Sequence, residues 1–271
     1  MRARMGVAMD MATVISLDGT TIGYDSVGAG PPLLLVHGST GTRARWASVT
    51  PALAQHYTVY AMDRRGRGLS TAEVKPYSLT REAEDVTALA EALGGSVYVV
   101  GHSYGALAVL EAALITSAFR RIMLYEPPIP SPGLDVGSPG GWARITATSD
   151  PRAILEAFYR ETLQLPWPAI KDLADREFPY VADSIAHTAG RELTQARGYR
   201  VTARHAEIAV PVRMLLGTES PEYFRAATTA LAARIPGTAI VPLPGQGHQA
   251  IDYDPTQFIR AVMDFDAAPE D

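Results

Sequence analysis

The chain predicts an α/β fold, a mostly parallel sheet flanked by helices and interrupted once by a helical insertion. Three observations carry this. Short apolar, β-branched or aromatic runs alternate with helical stripes through the first half of the sequence. The alternation stops at Pro127 and resumes at Val212. Between a strand-like run and a strong helix former stand Gly101-His102-Ser103-Tyr104-Gly105, the strand–turn–helix setting of a G-x-S-x-G turn.

The opening ten residues are expected to fray. Residues 11–17 and 20–24 flank Asp18-Gly19, a two-residue hairpin signal. Leu33-Leu34-Leu35-Val36 is the continuous apolar run of a strand covered on both faces. Residues 57–62 form the next strand, closed by Asp63. Thr80 reads as the cap of a helix with Val86, Leu89, Ala90 and Leu93 on one stripe and Glu82 and Glu84 in its first turn. A strand over 97–100, the helix after Ser103 and a strand over 121–125 follow, ending at Glu126-Pro127-Pro128.

From 127 to 208 no core strand is expected. Pro and Gly cluster between 127 and 141. Asp150-Pro151 opens a helix carrying Leu155, Phe158, Tyr159 and Thr162, and further helices lie around 169–177 and 182–197. Strands return at 212–216 and 239–243. Asp254-Pro255 opens a last helix with the stripe Phe258, Ile259, Val262 and Phe265. The expected organisation is a core of residues 11–126 and 209–271 with a helical insertion of 127–208.

Composition narrows the classes. The 271 residues are 47% hydrophobic with a net charge of −5, an ordinary globular balance with no block of like charge. The cluster Arg64-Arg65-Gly66-Arg67 is too short to suggest a nucleic-acid surface. The chain has no cysteine, which excludes disulfides and thiolate metal sites. No apolar run has signal-peptide or membrane-span length. The expectation is a cytoplasmic protein acting on a small molecule, with no cofactor, metal, nucleic acid or membrane partner.

Acyl transfer needs a nucleophile, a base, an acid that orients the base, and donors for the oxyanion. Ser103 is the nucleophile candidate. Its turn demands small flanking residues and lifts the hydroxyl to the positive end of the next helix. His248, in Gly245-Gln246-Gly247-His248, follows the strand over 239–243, at the sheet edge where α/β proteins place their sites. It is the base candidate. Of the other histidines, His56 follows a helical segment, and His187 and His205 lie in or beside the insertion. His102 is fixed by the turn, with its imidazole expected to point away from the serine. The oxyanion donors are assigned to the N–H of Tyr104 and to a second N–H in His37-Gly38-Ser39-Thr40-Gly41. There Ser39 is preferred over its neighbour Thr40, and glycine permits close approach.

Leu35-Val36-His37-Gly38, Asp63-Arg64-Arg65-Gly66-Arg67-Gly68-Leu69-Ser70, Gly101-His102-Ser103-Tyr104-Gly105 and Gly245-Gln246-Gly247-His248 together resemble the α/β-hydrolase superfamily. The resemblance covers nearly the whole chain outside the insertion. It implies a mostly parallel eight-stranded sheet with a helical lid between strands six and seven, and a structural role for the Asp63 loop. It is a poor guide to substrate, since esterases, lactonases, peptidases, lyases and cofactor-free oxygenases share the fold.

The family usually places an aspartate after strand seven, three residues past a glycine. Here Leu216-Gly217-Thr218-Glu219-Ser220 puts a serine there, and Ser220-Pro221-Glu222 reads as a helix cap, a first-turn proline and a dipole-favoured acid. Two carboxylates remain as the orienting acid. Glu126 ends strand six, where haloalkane dehalogenases of the same superfamily can carry theirs; Glu219 is the rival, one position from the usual site. Those dehalogenases use an aspartate nucleophile, so Ser103 argues against their activity.

The expected function is a serine hydrolase cleaving a small to medium, largely apolar ester, thioester or lactone through an acyl-serine. Among Trp142, Phe158, Tyr159, Trp167, Phe178 and Tyr180 of the insertion, some are expected to line a pocket above Ser103 and others to anchor the lid. No Lys or Arg cluster marks an anionic substrate. Two alternatives stay open: a lyase or cofactor-free oxygenase using Ser103 and His248 for proton transfer, and a ligand receptor with an idle triad.

Overall fold

The structure is a computed structural model that describes residues 9–267. Of the segment expected to fray, residues 1–8 lie outside the described residues, and Asp10 already belongs to the first strand.

The strands β1 (Asp10–Ile15), β2 (Thr21–Val27), β3 (Pro32–Val36), β4 (Thr58–Met62), β5 (Val97–His102), β6 (Phe119–Tyr125), β7 (Val212–Gly217) and β8 (Ala239–Leu243) form one eight-stranded sheet. Their order is β1-β2-β4-β3-β5-β6-β7-β8. The pairs β1–β2 and β2–β4 are antiparallel and all others parallel. The chain winds outward from β3 to β4, then crosses back to β5 on the other side of β3. That reversal opens a crevice at the carboxyl ends of β3 and β5. The register sets Val36 opposite Gly101, so the loops leaving both strands emerge side by side.

Alternation along the central strands divides the core. Leu34, Val36, Val97 and Val99 face α2 (Leu79–Ala92) and α3 (Tyr104–Ala112). Leu33, Leu35, Tyr98 and Val100 face Trp46 and the stripe Phe258, Val262 and Phe265 of the last helix, α10 (Pro255–Ala267). Both faces are covered, which is why these strands read as unbroken apolar runs. On the face that carries Trp46, α1 (Thr50–Leu53) buries Leu53 in the same cluster.

Between β6 and β7 lie α4 (Gly141–Ile145), α5 (Pro151–Glu161), α6 (Trp167–Val181) and α7 (Ile185–Gly198). The described residues 127–208 hold no strand beyond an isolated bridge between Ser131 and Leu134. Asp150 caps α5 through the Ala153 N–H at 2.7 Å, with Pro151 in the first turn. The helix α6 runs past the expected end through Pro179, because Val181 is buried on the stripe of Ile170, Leu173 and Ala174. Two more helices, α8 (Glu222–Ala232) and α9 (Ala250–Tyr253), follow β7 and the His248 loop.

Three local expectations fail for local reasons. The first hairpin is a three-residue loop, with Ser16 N–H bonded to the Thr20 carbonyl at 2.8 Å and Gly19 at φ 88°. The cap of α2 is Ser78, whose hydroxyl accepts from Arg81 N–H at 3.3 Å, and not Thr80; burial of Leu79 draws the helix start back. Ser220 does not cap α8, where Pro221 takes the cap position without a side-chain bond. Its hydroxyl is engaged elsewhere, as follows.

Candidate active site

Ser103 sits between β5 and α3 at φ 55° and ψ −123°, a conformation that side chains rarely adopt. A Cβ added to Gly105 would lie 2.4 Å from the Val36 carbonyl oxygen, and one on Gly101 2.7 Å from the Ala106 Cα. This is why both flanks are glycine. The Ser103 N–H bonds to the Tyr125 carbonyl at 2.8 Å, tying the turn to β6. Its side chain makes no capping bond to α3.

The carboxylate comes from the end of β6. Glu126 follows Tyr125 at φ 49° and is fully buried. Its Oε2 lies 2.6 Å from His248 Nδ1. Its Oε1 accepts from the Gly217 N–H at 2.7 Å and from the Ser220 hydroxyl at 2.6 Å. Ser220 is thus a prop for Glu126. Burial pushes the Glu126 carboxyl up to about 7, against the two hydrogen bonds that favour its ionised form. Glu219 is exposed, its carboxylate 3.4 Å from its neighbour Thr218, and the structure does not bring it to His248.

His248 is buried, and burial together with the Arg45 charge holds its imidazole well below the usual range, so the neutral form prevails. With Nδ1–H donating to an ionised Glu126, Nε2 carries the lone pair a base needs. Phe224 of α8 stacks on the ring, centroids 4.1 Å apart and planes 13° apart. Tyr125 hydroxyl bonds to the Gly247 carbonyl and accepts from Ala250 N–H at 3.3 Å, fixing the loop on both sides of His248. His102 lies beside His248, with Nε2 3.1 Å from its carbonyl oxygen and ring centroids 4.5 Å apart. That carbonyl needs a donor, and His102 supplies it. His56 is exposed, His187 bonds the Gly66 carbonyl, and His205 bonds the Tyr199 hydroxyl.

After β3 the chain turns through Gly38, Ser39, Thr40 and Gly41. A Cβ on Gly38 would fall 2.8 Å from Ser103 Cβ, so this loop passes directly beside the serine. His37 is buried and neutral; its Nδ1 faces the Gly38 carbonyl at 2.8 Å and its Nε2 accepts from Arg64 N–H at 3.1 Å. Thr40 holds φ 56°. Tyr104 leaves its backbone N–H at the first turn of α3 while its side chain enters the core, its hydroxyl accepting from Tyr77 at 2.7 Å.

Ser103, His248, His102 and residues 38–41 wall one cavity of about 20 Å³, with Arg45, Phe158, Tyr159, Leu163 and Gln249 closing it. That volume holds roughly one water. Of the six aromatics singled out in the insertion, Phe158 and Tyr159 line this cavity. Trp142, Trp167 and Tyr180 are exposed, and Phe178 packs on the core with Arg152 over its ring. Arg45 was not anticipated. It is buried, 2.6 Å from Asp252 and 3.5 Å from Glu177, and bonded to Gln249. The Asp63 loop is rigidly paired: Asp63 takes the Arg43 N–H at 2.7 Å and the Leu69 N–H at 2.8 Å. Ser220 and Phe224 were also missed; the serine in the usual acid position was the available signal. Among the described residues no helix is long and apolar enough to cross a membrane.

Known proteins share this plan. A hydrolase of 2-(acetamidomethylene)succinate from Mesorhizobium japonicum is 28% identical, over 95% of this chain and 99% of its own length. The crystal structure of an α/β hydrolase from Sphaerobacter thermophilus DSM 20745 matches 94% of this chain and 100% of that one, at 31% identity and a TM-score of 0.81. An esterase from Rhodococcus sp. ECU1013 matches 95% of this chain and 98% of that one, at 28% identity and a TM-score of 0.77. Residues 33–261 match the sequence model of the alpha/beta hydrolase family. With that span, and with the sheet order and strand-end loops described above, the chain belongs to the α/β hydrolase family.

Proposed function

We propose that the enzyme is a serine hydrolase acting on a small to medium carboxylic ester, thioester or lactone through an acyl-serine. The observation that carries this is the hydrogen-bonded line from Ser220 through Glu126 to His248, ending in a cavity that Ser103 also walls. In this reading Ser103 Oγ attacks the carbonyl carbon as its proton passes to His248 Nε2. Glu126 fixes the imidazole tautomer and stabilises the cation that forms. The N–H groups of Ser39 and Tyr104 receive the oxyanion. His248 returns the proton to the leaving group and then activates the water that releases the acid. The likeness to an esterase over nearly the whole chain supports the ester class.

The helical segment 127–208 is proposed to act as a lid on a core of residues 11–126 and 209–271. Phe158, Tyr159 and Leu163 close a space too small for an ester, so the segment must shift to admit one. The apolar side of the pocket comes from Phe158 and Leu163.

A second reading widens the acyl donor. Arg45 is the one charged side chain lining the cavity, and the relative from Mesorhizobium japonicum is a hydrolase of a succinate derivative. In this reading the substrate carries a carboxylate that displaces Glu177 from its 3.5 Å contact with Arg45.

Turnover of a matched panel of esters, thioesters and lactones, each neutral or carboxylate-bearing, tests both readings with Ser103→Ala as control. The first expects turnover of neutral esters that vanishes in the control. The second expects carboxylate-bearing members to have the lower KM. Turnover surviving in Ser103→Ala contradicts both. Substrate conversion with no released acid would instead support proton-transfer chemistry on the same pair.

A further inference from the structure

Arg64 and Arg67 are buried, and the reaction as written uses neither. Arg64 Nη1 lies 3.4 Å from the His37 carbonyl, and Arg67 Nη1 lies 3.4 Å from the Gly41 carbonyl. The two carbonyls bracket residues 38–40. Arg64 also stands over the Tyr104 ring, 4.5 Å from its centroid. Both proposed oxyanion donors, Ser39 N–H and Tyr104 N–H, therefore belong to segments that touch these guanidiniums.

One carboxylate joins the two arginines. Glu192 Oε1 lies 2.9 Å from Arg64 Nη2 and pairs with Arg67 Nη2, and Oε2 lies 3.5 Å from Arg64 Nη1. The Ser39 side chain is a further neighbour. Glu82 holds the other side of Arg64 at 2.8 and 3.0 Å, but it sits on α2 and stays with the core. Glu192 is carried by α7 of the insertion and is fully buried. Burial opposes its ionisation, yet the charges of Arg64 and Arg67 hold its carboxyl below the ordinary range. Thr40, inside the bracketed stretch, keeps φ 56°, and such backbone persists only where its surroundings over-determine it.

We infer that Glu192 is a positioning residue for the oxyanion donors, so that the insertion aligns them only when α7 is seated. The inference rests on the serine-hydrolase reading above. When the insertion shifts to admit substrate, Glu192 leaves with α7 and two buried cations lose the carboxylate they share, while Arg64 keeps Glu82. The bracket slackens, and residues 38–40 are free to relax. Reseating α7 restores the donors over the bound carbonyl, which ties substrate enclosure to oxyanion stabilisation.

The test compares wild type with Glu192→Gln, which keeps the side chain's shape and removes its charge, and with Arg67→Lys, which keeps the charge but cannot span both Glu192 and the Gly41 carbonyl. The readouts are kcat, KM and the affinity for a trifluoromethyl ketone. In that adduct Ser103 Oγ bonds the carbonyl carbon, the hydroxyl proton passes to His248, and the carbonyl π pair becomes an oxyanion facing the same donors. Glu192→Gln is expected to lower kcat roughly 10- to 100-fold, with KM within about threefold and ketone affinity falling in step with kcat. Arg67→Lys is expected to show the same pattern at roughly 3- to 10-fold.

A kcat loss with unchanged ketone affinity, or both variants matching wild type, overturns the inference. If Glu192→Gln shows no cooperative melt, Arg67→Lys decides alone, and unchanged values there overturn it. A wild type that neither turns over any ester nor binds the ketone is a different failure, of the serine-hydrolase reading itself.

Discussion

His248 Nδ1 lies 2.6 Å from Glu126 Oε2, a bond between the loop after β8 and the residue that follows β6. The rival Glu219 is exposed and takes no part. Glu126→Gln is therefore expected to lower kcat/KM by roughly 10³-fold or more, because an amide no longer holds the Nδ1–H tautomer. Glu219→Gln should stay within about twofold of wild type, as surface substitutions do. Steady-state kinetics on one ester checks both, and the reverse ranking would move the acid to the loop after β7.

The pH profile tests the same bond from another side. The proposed mechanism needs Glu126 ionised and His248 neutral. Burial raises the Glu126 carboxyl to about 7 while burial and Arg45 depress His248, so kcat/KM should fall as pH drops through about 7, with the pair titrating as a unit. Ser220 Oγ donates to the ionised carboxylate at 2.6 Å. Removing that donor favours the protonated acid. Ser220→Ala should move the acid limb upward by about one pH unit. A limb that stays in place or moves down contradicts this role for Ser220.

A methyl group on Gly38 should act on the nucleophile more than on the fold. The added Cβ would lie 2.8 Å from Ser103 Cβ, and Ser103 is held in a strained turn that cannot yield freely. A displacement of the hydroxyl by about 1 Å is enough for a loss of about 10²-fold. Gly38→Ala should show that loss with a cooperative thermal melt retained. Undiminished kcat/KM would mean that the loop moves aside without disturbing Ser103.

The stacked pair of Phe224 and His248 gives a stability prediction as well. Phe224 is fully buried, with its ring 4.1 Å from the imidazole centroid. Phe224→Leu keeps much of the volume but loses the flat support. The melting temperature should fall by a few degrees, corresponding to about 1–2 kcal/mol. The kcat should fall further than that stability loss explains, because the ring no longer keeps the imidazole in one plane. Equal kcat in the folded variant would leave Phe224 as packing only.

Much of the fold was legible because its signals are local. The apolar run Leu33-Leu34-Leu35-Val36 announces a strand covered on both faces, and Asp150-Pro151 announces the start of α5 through a cap that forms as read. Gly105 could be understood from the turn alone. The misreadings arose where a distant partner outbid a local signal. Ser220-Pro221-Glu222 spells a helix cap, but the Ser220 hydroxyl goes to Glu126, far away in sequence. Arg45 carries no motif; its place at the cavity follows from Glu177 on α6 and from Gln249 and Asp252 at α9, two segments far from it in sequence. Likewise, Arg64 and Arg67 read as a charged loop, and only folding reveals that their shared counter-ion rides on α7.

The most direct test of the account is intact-protein mass spectrometry after a rapid acid quench of enzyme mixed with a slowly deacylated ester, followed by peptide mapping. The account predicts a mass gain equal to one acyl group, carried on the peptide that contains Ser103 and absent from Ser103→Ala. Turnover without any such adduct, or an adduct on another residue, would contradict it.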